Sequence, residues 1–291
     1  MDISKFFDTI DHGLLMRAVK RHVEEKWILL YIERWLKVPY ETERGEEIVR
    51  NQGVAQGSVI GPVLANLYMH YVFDKWMQIH YPRISFERYA DDTICHCSTK
   101  AEAEKLKVVI GNRMSACKLK LNEEKTRIVY CKNSSRSGLH EEISFDFLGY
   151  TFRPRCAKNT RTGQYFTGYL PAISRKSTNH IQETLRSWQL NRKTRMNLAE
   201  IEAMISPSVR GWMNYYGKFY ISSLKKTLQV LNDAIVRWAR RKYTRFKRSF
   251  KRAYQWLIGI YRRNPTLFYH WRCGIIPCHF KLKPAKVRRA I

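Results

Sequence analysis

The charges of this sequence are divided so unevenly that its two halves must face different surroundings. Residues 1–150 contain 22 Lys and Arg against 21 Asp and Glu, whereas residues 151–291 contain 31 against 4. The second half therefore carries almost all of the net charge of +28. A polycation of this size needs a polyanionic partner, and the usual ones are nucleic acid and anionic membrane surfaces. We expect two domains, the second of which binds a polyanion.

The uncharged segments do not favour a membrane as that partner. Residues 51–73 lack Asp, Glu, Lys and Arg, but they contain Gln, Asn, Ser, Pro and Gly and are too polar for a transmembrane helix. No secretory signal opens the sequence, and its seven cysteines are an odd number that is typical of reduced thiols. We therefore expect a cytoplasmic protein without membrane contact, with nucleic acid as its partner.

Hydrophobic periodicity predicts a mixed first part and a helical second part. Residues 2–8 are predicted as a short strand, Asp11 or His12 as the cap of a following helix, and Pro39 as the end of a second helix. Further elements of the first part are predicted as a hairpin near Gly45, a helix over 58–78, strands over 84–89 and 93–97, a helix over 103–117, a strand or strand pair over 119–131 and a strand over 144–152. Helices of the second part are predicted over 177–190, 198–205, 208–219 and 222–246. The predicted fold is an α+β domain over 1–155, with an antiparallel sheet and helices, followed by an all-α basic domain over 156–291.

Adjacent acids lie at the tip of one predicted hairpin. Asp91 and Asp92 separate two apolar strands, and Asp2 opens another apolar segment. Like charges this close repel, and a fold retains them where a cation neutralises them. Three oxygen ligands from two strands suit Mg²⁺. Two such ions about 3.5–4 Å apart stabilise the attacking and leaving oxygens of an in-line displacement.

Other interpretations of these acids stay open on the residues alone. A bare Asp-Asp pair is also typical of a solvated loop tip. Asp8 and Asp11 compete with Asp2 as the third ligand, although Asp11 is better explained as a helix cap.

Six motifs in family order, between residue 2 and about residue 240, resemble those of group II intron reverse transcriptases and maturases. They are Asp2-Ile3 with Phe6-Phe7-Asp8 and Ile10-Asp11-His12 for the first palm motif, Gly53-Val54-Ala55-Gln56-Gly57-Ser58 with Pro62 and Asn66 for the template-contacting motif, Tyr89-Ala90-Asp91-Asp92 for the acidic turn, Leu121-Asn122-Glu123-Glu124-Lys125-Thr126 and Phe147-Leu148-Gly149-Tyr150 for the last two palm motifs, and Arg210-Gly211-Trp212-Met213-Asn214-Tyr215-Tyr216 for the maturase-specific domain. Each motif alone is weak, but their shared order is highly specific.

The resemblance implies both a fold and a function. The fold is a right-hand polymerase palm over 1–155, followed by a helical thumb and maturase-specific RNA-binding domain over 156–291. The function is RNA-directed DNA synthesis together with binding of the intron RNA to assist its splicing. The implied cofactor is Mg²⁺, as two ions. The implied partners are group II intron RNA, an RNA template with a DNA primer, and dNTPs.

The resemblance also implies residue roles in the palm. Asp2, Asp91 and Asp92 would be the catalytic metal ligands, with Asp2 and Asp91 as the principal ones. The implied nucleotide and template contacts are Phe7 beneath the incoming sugar, Gln56 and Gly57 against template and nucleotide, Tyr89 in the acidic turn, and Lys125 near the phosphates, where it neutralises charge as pyrophosphate leaves. Phe7 as a core residue and Lys125 as a surface lysine are the alternatives.

Aromatic residues interleave with the basic residues of the second part. Arg and Lys contact phosphates, while aromatic faces stack unpaired bases. The predicted RNA contacts are Arg210, Asn214, Tyr215, Arg237, Arg240, Arg241 and Lys242. A solvated charged face is the alternative for any single cluster.

The family carries a fingers region before its first palm motif, and this sequence opens at that motif. We therefore expect either a piece of a longer protein or a chain that works with a separate fingers-containing chain. The alternative function is an RNA-binding splicing cofactor whose polymerase domain is inactive without fingers. A related retroelement polymerase without an intron is a third possibility, and the segment 210–216 argues against it.

Overall fold

A computed structural model describes residues 1–41, 45, 47–136, 138 and 140–277. The chain forms two compact units that divide between Val129 and Tyr130. Each unit has its own cluster of buried apolar side chains. None of the described helices is long and apolar enough to cross a membrane.

The first unit combines helices with two short antiparallel hairpins, β1–β2 and β3–β4. In chain order its described elements are α1 (Phe6–Thr9), α2 (His12–Val19), α3 (Lys26–Lys37), β1 (Tyr40–Glu41), β2 (Glu47–Ile48), α4 (Gly61–Met69), a π-helical turn (His70–Asp74), α5 (Lys75–His80), β3 (Phe86–Tyr89), β4 (Asp92–Cys95) and α6 (Lys100–Ala116). The mixed helix and antiparallel strand content agrees with the α+β class predicted for this part.

Local capping explains where several of these helices begin. The Asp11 side chain accepts a hydrogen bond from Leu14 N (2.8 Å) and caps α2. Pro62 lies in the first turn of α4, where a missing N–H breaks no helical bond. The predicted cap at Asp11, the helix end before Pro39 and the hairpin at 89–92 are confirmed.

Residues 1–4 lie between β4 and residues 120–122 and are paired to both. The backbone hydrogen bonds are Thr93 N to Met1 O (3.1 Å), Asn122 N to Asp2 O (2.9 Å) and Ser4 N to Lys120 O (2.8 Å). The predicted strand over 2–8 is wrong beyond this point, because buried Phe6 begins α1. The strand predicted over 119–131 is reduced to a bridge at Leu121.

The second unit places a three-stranded antiparallel sheet, in the order β5-β6-β7, before a group of helices. Its described elements are β5 (Phe145–Phe147), β6 (Tyr150–Lys158), β7 (Tyr165–Ile173), α7 (Arg175–Ser187), a 3₁₀ turn (Leu190–Arg192), α8 (Leu198–Tyr216), α9 (Ile221–Leu228), α10 (Val230–Lys242), a second 3₁₀ turn (Thr244–Phe246), α11 (Phe250–Arg263) and α12 (Tyr269–Arg272).

The sheet corrects two predictions. Residues 156–291 are not all-α, because β6 runs past the predicted boundary at 155 and β7 follows it. The predicted single strand over 144–152 is a hairpin, because Leu148 and Gly149 take positive φ (48° and 78°) and reverse the chain.

β6 and β7 form a long two-stranded ribbon. Nine residue pairs join it, from Tyr150 with Ile173 to Lys158 with Tyr165, and Pro154 and Pro171 lie within its strands. Near its tip both faces are exposed, so the sequence there lacks the alternation of apolar and polar residues that marks a half-buried strand. The ribbon was therefore not predicted.

A buried polar network lies within the helical core of the second unit. Asn232 Oδ1 accepts hydrogen bonds from His270 Nε2 (3.1 Å) and Trp271 Nε1 (2.8 Å), and Asn232 Nδ2 donates to Ile275 O (3.2 Å). Burial lowers the pKa of His270 to about 3, so the imidazole is neutral in the fold.

This histidine makes the stability of the second unit depend on pH. Between an ordinary pKa of about 6.5 and the lowered value, the unfolded chain binds a proton that the folded chain does not. The folded state therefore loses stability as the pH falls below 6.5. We expect His270→Gln, which does not titrate, to remove about 2 kcal/mol of the stability difference between pH 7 and pH 5.

Urea unfolding followed by tryptophan fluorescence at both pH values measures this difference. His180→Gln, on the exposed surface of α7, is the matched control and should keep the wild-type pH dependence. An equal pH dependence in wild type and His270→Gln would contradict the assignment.

Candidate functional site

A cavity of about 520 Å³ opens in the first unit beside residues 1–4. Residues 2–7 line it, together with Gln56, Asp91, Asn122 and Lys125. The two principal carboxylates predicted from the sequence, Asp2 and Asp91, thus line one cavity. They meet because residues 1–4 pair with the strand that follows the acidic turn.

The charges around Asp91 are only partly compensated. Burial raises the pKa of Asp91, and the neighbouring carboxylates of Asp92 and Asp2 raise it further, while Lys125 acts in the opposite direction. Lys125 Nζ lies 3.3 Å from Asp2 Oδ2, so this exposed lysine supplies the nearby positive charge.

Asp2 and Asp91 fit a hard divalent cation by their chemistry. Both offer carboxylate oxygens, which Mg²⁺ prefers. A cation would offset the burial and the carboxylate repulsion that together raise the pKa of Asp91. Asp92 is not among the residues that line the cavity. Among the described residues, no group of three His, Cys, Asp or Glu side chains is arranged to hold a metal ion. The three predicted ligands are therefore not assembled as one set.

The loop that contains Gln56 is bonded to the segment that contains Phe7. Three hydrogen bonds join them, from Gly53 N to Ile10 O (2.7 Å), from Val54 N to Phe7 O (2.6 Å) and from His12 Nε2 to Gly53 O (2.7 Å). Gln56 Nε2 also donates to Asp8 Oδ1 (3.4 Å). Phe7 and Gln56 are thereby held at the same cavity.

Gly57 and Tyr89 do not line the cavity. Gly57 has φ +87°, and among the described residues no atom beyond its own and those of its chain neighbours lies within 4 Å of where its Cβ would be. A side chain there would point into open space, not into protein. Tyr89 is 65% exposed at the end of β3.

Asn122 is a lining residue that the sequence did not single out. Its backbone N donates to Asp2 O (2.9 Å), and its Oδ1 accepts from Lys125 N (3.2 Å). Asn122 thus caps the turn that carries Lys125 and ties it to Asp2. An Asn three residues before a lysine is a common cap and signals a turn more than a site, which explains why it was missed.

The predicted RNA contacts on α8 fall into two groups. Arg210 and Asn214 are exposed, and the Arg210 guanidinium lies over the Tyr269 ring at 5.1 Å. Tyr215 instead joins α8 to the turn at residues 148–149, because its OH donates to Leu148 O (2.8 Å) and its backbone O accepts from the Tyr150 hydroxyl.

The predicted contacts on α10 divide in the same way. Arg237 and Arg241 are exposed and lie one helical turn apart on the same face. Arg240 Nη2 donates to Lys247 O (3.0 Å), and Lys242 Nζ donates to Met196 O (2.6 Å), so these two side chains also hold the protein together.

The ribbon adds exposed cations that the predicted list does not contain. Arg153, Lys158 and Arg161 are exposed on β6 and at its tip, and Tyr165 beside them is 72% exposed. The sequence signal was present, since no Asp or Glu occurs between residues 147 and 182.

The profile of the reverse transcriptase (RNA-dependent DNA polymerase) family matches residues 1–152, which is more than half of the chain. The chain belongs to this reverse transcriptase family. A second profile, that of the group II intron maturase-specific domain, matches residues 178–256. The reverse transcriptase domain is thus followed by a maturase-specific domain, as the sequence motifs predicted.

The chain is also similar to curated proteins over part of its length. It is 27% identical over 182 residues to Protein YkfC of Escherichia coli (strain K12). This alignment covers 51% of this chain and 45% of that protein. It is 24% identical over 202 residues to the Putative COX1/OXI3 intron 1 protein of Saccharomyces cerevisiae, an alignment that covers 52% of this chain and 23% of that protein. It is 26% identical over 133 residues to the Group II intron-encoded protein LtrA of Lactococcus lactis subsp. cremoris, with 44% of this chain and 22% of that protein covered. The matched region spans less than half the length of each of these relatives.

The close approach of Gly53 to α1 generates a stability prediction. A β-carbon at residue 53 would lie 2.7 Å from Asp8 O and 2.8 Å from Phe7 O, at φ +81°. We expect Gly53→Ala to destabilise the first unit by about 3 kcal/mol or more, because backbone must move. Gly57→Ala has a similar φ but open space, and should lose only about 1–2 kcal/mol. Urea unfolding compares the two variants, and equal losses would show that the 52–57 loop does not depend on this contact.

Proposed function

We propose that this chain carries the polymerase centre of a group II intron reverse transcriptase, on a right-hand palm, and that its second unit, as thumb and maturase-specific domain, binds intron RNA. The observation that supports the polymerase role most directly is that Asp2, Asp91 and Lys125 line one cavity in the matched domain. The proposed substrates are an RNA template with a DNA primer, and dNTPs. The unpaired cysteines of the described residues support a cytoplasmic location.

Asp2 and Asp91 are the proposed holders of Mg²⁺, with Asp92 as the third predicted ligand. When bound, two Mg²⁺ ions would stabilise the attacking 3′-oxygen and the leaving pyrophosphate. The carboxylates fix the place of that positive charge, because both side chains belong to backbone segments that are hydrogen-bonded to each other. Fixed charge of this kind needs no reorganisation during the reaction.

Lys125 is proposed to meet the triphosphate. Its ammonium is exposed and lies 3.3 Å from Asp2 Oδ2, at the edge of the same cavity. Negative charge grows on the leaving phosphates in the transition state, and a positioned ammonium stabilises it. Asn122 holds the backbone of this turn, so the lysine approaches from a defined direction.

Phe7 and Gln56 are proposed to read the incoming nucleotide and the template. The Phe7 side chain lines the cavity from α1, where its ring would exclude a 2′-hydroxyl and so favour DNA as the product. Gln56 reaches the cavity from the 52–57 loop, and Gly57 leaves open space beside it for template or nucleotide. Tyr89 would contact the primer or nucleotide from its exposed position.

Intron RNA is the proposed partner of the second unit. Its charge excess has no counterpart in the first 150 residues, and its exposed arginines are accompanied by exposed aromatic rings. Arg210, Asn214, Arg237 and Arg241 are accessible, whereas Tyr215, Arg240 and Lys242 would contact RNA only while also bonded to protein. The splicing role would be non-enzymatic, because bound protein stabilises the RNA that performs the chemistry.

The second candidate function is RNA binding without polymerisation. The observation that favours it is that the described residues contain no group of three potential ligands arranged around one metal position. In that case the second unit would bind the intron RNA, and the cavity of the first unit would have no polymerase activity.

Primer extension distinguishes the two functions. We expect residues 1–291 to add nucleotides to a DNA primer on an RNA template in the presence of Mg²⁺, because Asp2 and Asp91 line one cavity and two ions held there would stabilise the attacking and leaving oxygens. Asp91→Ala should abolish the addition, whereas Glu104→Ala, an exposed carboxylate on α6, should not. Addition that survives Asp91→Ala would refute the assigned centre, and no addition by the wild type would favour the binding function.

A salt titration tests the RNA-binding role. Each phosphate contact releases counterions, so the logarithm of affinity falls by roughly 0.7–0.9 per contact per tenfold salt. Arg237→Ala with Arg241→Ala should weaken binding and reduce this slope by the equivalent of up to two contacts. Lys105→Ala with Lys107→Ala on α6 removes the same charge from the first unit and should leave the slope unchanged. Asp91→Ala with Asp92→Ala should retain or tighten binding, and its loss in that variant alone would contradict the division of roles.

A further inference from the structure

The acidic turn is strained in a way that requires support. Tyr89 pairs with Asp92, which leaves Ala90 and Asp91 as a two-residue turn, and Ala90 has φ +54°. The first central position of such turns usually holds glycine. An alanine there costs about 1–2 kcal/mol relative to its preferred conformations, so neighbouring groups must hold the turn in place.

One guanidinium provides that support. Arg88 Nη1 donates to Ala90 O (2.9 Å) and to Asn66 Oδ1 (3.0 Å). Arg88 Nε and Nη2 donate to the two carboxylate oxygens of Asp74 (2.7 and 2.6 Å). Four acceptor atoms thus bond one side chain: three lie outside the hairpin, and the fourth is the carbonyl oxygen of its strained residue.

The pair of Arg88 and Asp74 is largely withdrawn from water. The side chain of Arg88 is 11% exposed and that of Asp74 is 16% exposed. A two-bonded arginine–carboxylate pair fixes direction as well as distance, and a lysine cannot reproduce this planar fork. The guanidinium is therefore a rigid link, not a mobile surface charge.

The π-helical turn after α4 allows Asn66 and Asp74 to bond the same Arg88 side chain. Asn66 lies in α4, and Asp74 is the last residue of the π-helical turn. Residues eight apart on a regular α-helix differ by about 80° in direction. A π-helical turn has more residues per turn and rotates less per residue, which brings Asp74 toward the face of Asn66. Both acceptors can then reach one guanidinium.

We propose that Arg88 is a positioning residue of the polymerase centre. It holds the Ala90 turn against the continuous helix that α4, the π-helical turn and α5 form over residues 61–80, so that the Asp91 carboxylate keeps a fixed place relative to Asp2. This inference rests on the metal role proposed for Asp2 and Asp91. It adds that Asn66 and Asp74 of this helix determine the geometry of that site through their hydrogen bonds to Arg88.

Binding of Mn²⁺ to residues 1–291, followed by electron paramagnetic resonance without nucleic acid, is the first measurement. Arg88→Lys keeps the charge but loses the fork, and should weaken Mn²⁺ binding about tenfold at a temperature where the variant is folded. Asp74→Glu keeps the ion pair but displaces it by one methylene, and should weaken binding in the same direction. Glu87→Gln removes an exposed carboxylate that contacts His96 and does not bond Arg88, and should bind Mn²⁺ like the wild type.

Hydrogen exchange of the peptide over residues 86–95 is the second measurement, and it needs no metal. Faster exchange is expected in Arg88→Lys and in Asp74→Glu, with no change in Glu87→Gln. If both variants melted at lower temperature but kept wild-type Mn²⁺ affinity and exchange, Arg88 would be only a structural residue and the inference would be wrong.

The two measurements separate this inference from the proposed function. A wild-type chain that does not bind Mn²⁺ would contradict the proposed metal site, while the exchange of residues 86–95 would still decide whether Arg88 holds the turn. If Arg88→Lys did not fold, Asp74→Glu would decide the question, because it retains both charges and changes only the position of the carboxylate.

Discussion

The pairing of residues 1–4 on both of their sides is the constraint on which the candidate active site depends. Hydrogen bonds to Thr93 on one side, and to Lys120 and Asn122 on the other, leave the Asp2 backbone no freedom to shift along its neighbours. Because a slip of one residue would turn a side chain to the opposite face, the same pairing also decides that the Asp2 carboxylate meets Asp91. The site is thus assembled by backbone geometry, and its acidic side chains gather despite their mutual repulsion.

A comparable joining of distant motifs organises the second unit. The Leu148–Gly149 turn and the end of α8 are bonded reciprocally, through the hydroxyls of Tyr150 and Tyr215. A β-carbon at Gly149 would lie 2.9 Å from Ser177 Oγ and 3.0 Å from the Tyr216 hydroxyl, so the turn needs glycine for packing as well as for its φ of +78°. Two motifs that are separate in the sequence form one packed cluster, in which Tyr215 and Tyr216 have a structural role.

The elements that could be predicted from the sequence are those whose signals are local. The Asp11 cap, the helix end before Pro39 and the hairpin around residues 89–92 each depend on neighbouring residues, and each was predicted correctly. The β6–β7 ribbon failed because its distal part is exposed on both faces and has no apolar period. The strand predicted over 2–8 was wrong from Phe6 onward, because apolar residues after Asp2 fit a strand as well as the short helix that forms.

The site divides along the same line. The acids were predicted from their position at a hairpin tip and at the start of an apolar segment, whereas Phe7, Gln56 and Lys125 came from motif resemblance. Five of these residues, Asp2, Phe7, Gln56, Asp91 and Lys125, line one cavity. Arg88 with Asp74 could not have been found, because their meeting requires both the hairpin and a π-helical turn that has no recognisable sequence signal. Periodicity also did not separate the exposed basic residues of α10 from those bonded to protein. Arg240 and Lys242 donate hydrogen bonds to backbone carbonyls, whereas Arg237 and Arg241 are exposed.

The composition of the β6–β7 ribbon opposes edge-to-edge strand pairing between two copies of the protein. Where β6 extends beyond its pairing with β5, its outer edge presents unpaired backbone N–H and C=O groups, and another strand can pair with such an edge. Pro154 and Pro171 remove a donor from each strand, and Arg153, Lys158 and Arg161 place like charges along and beyond β6. A second ribbon that approached edge to edge would find no N–H donor at the prolines, and its positive charges would be repelled. The acid-free composition that makes this segment strongly basic therefore also opposes self-association into a continuous sheet.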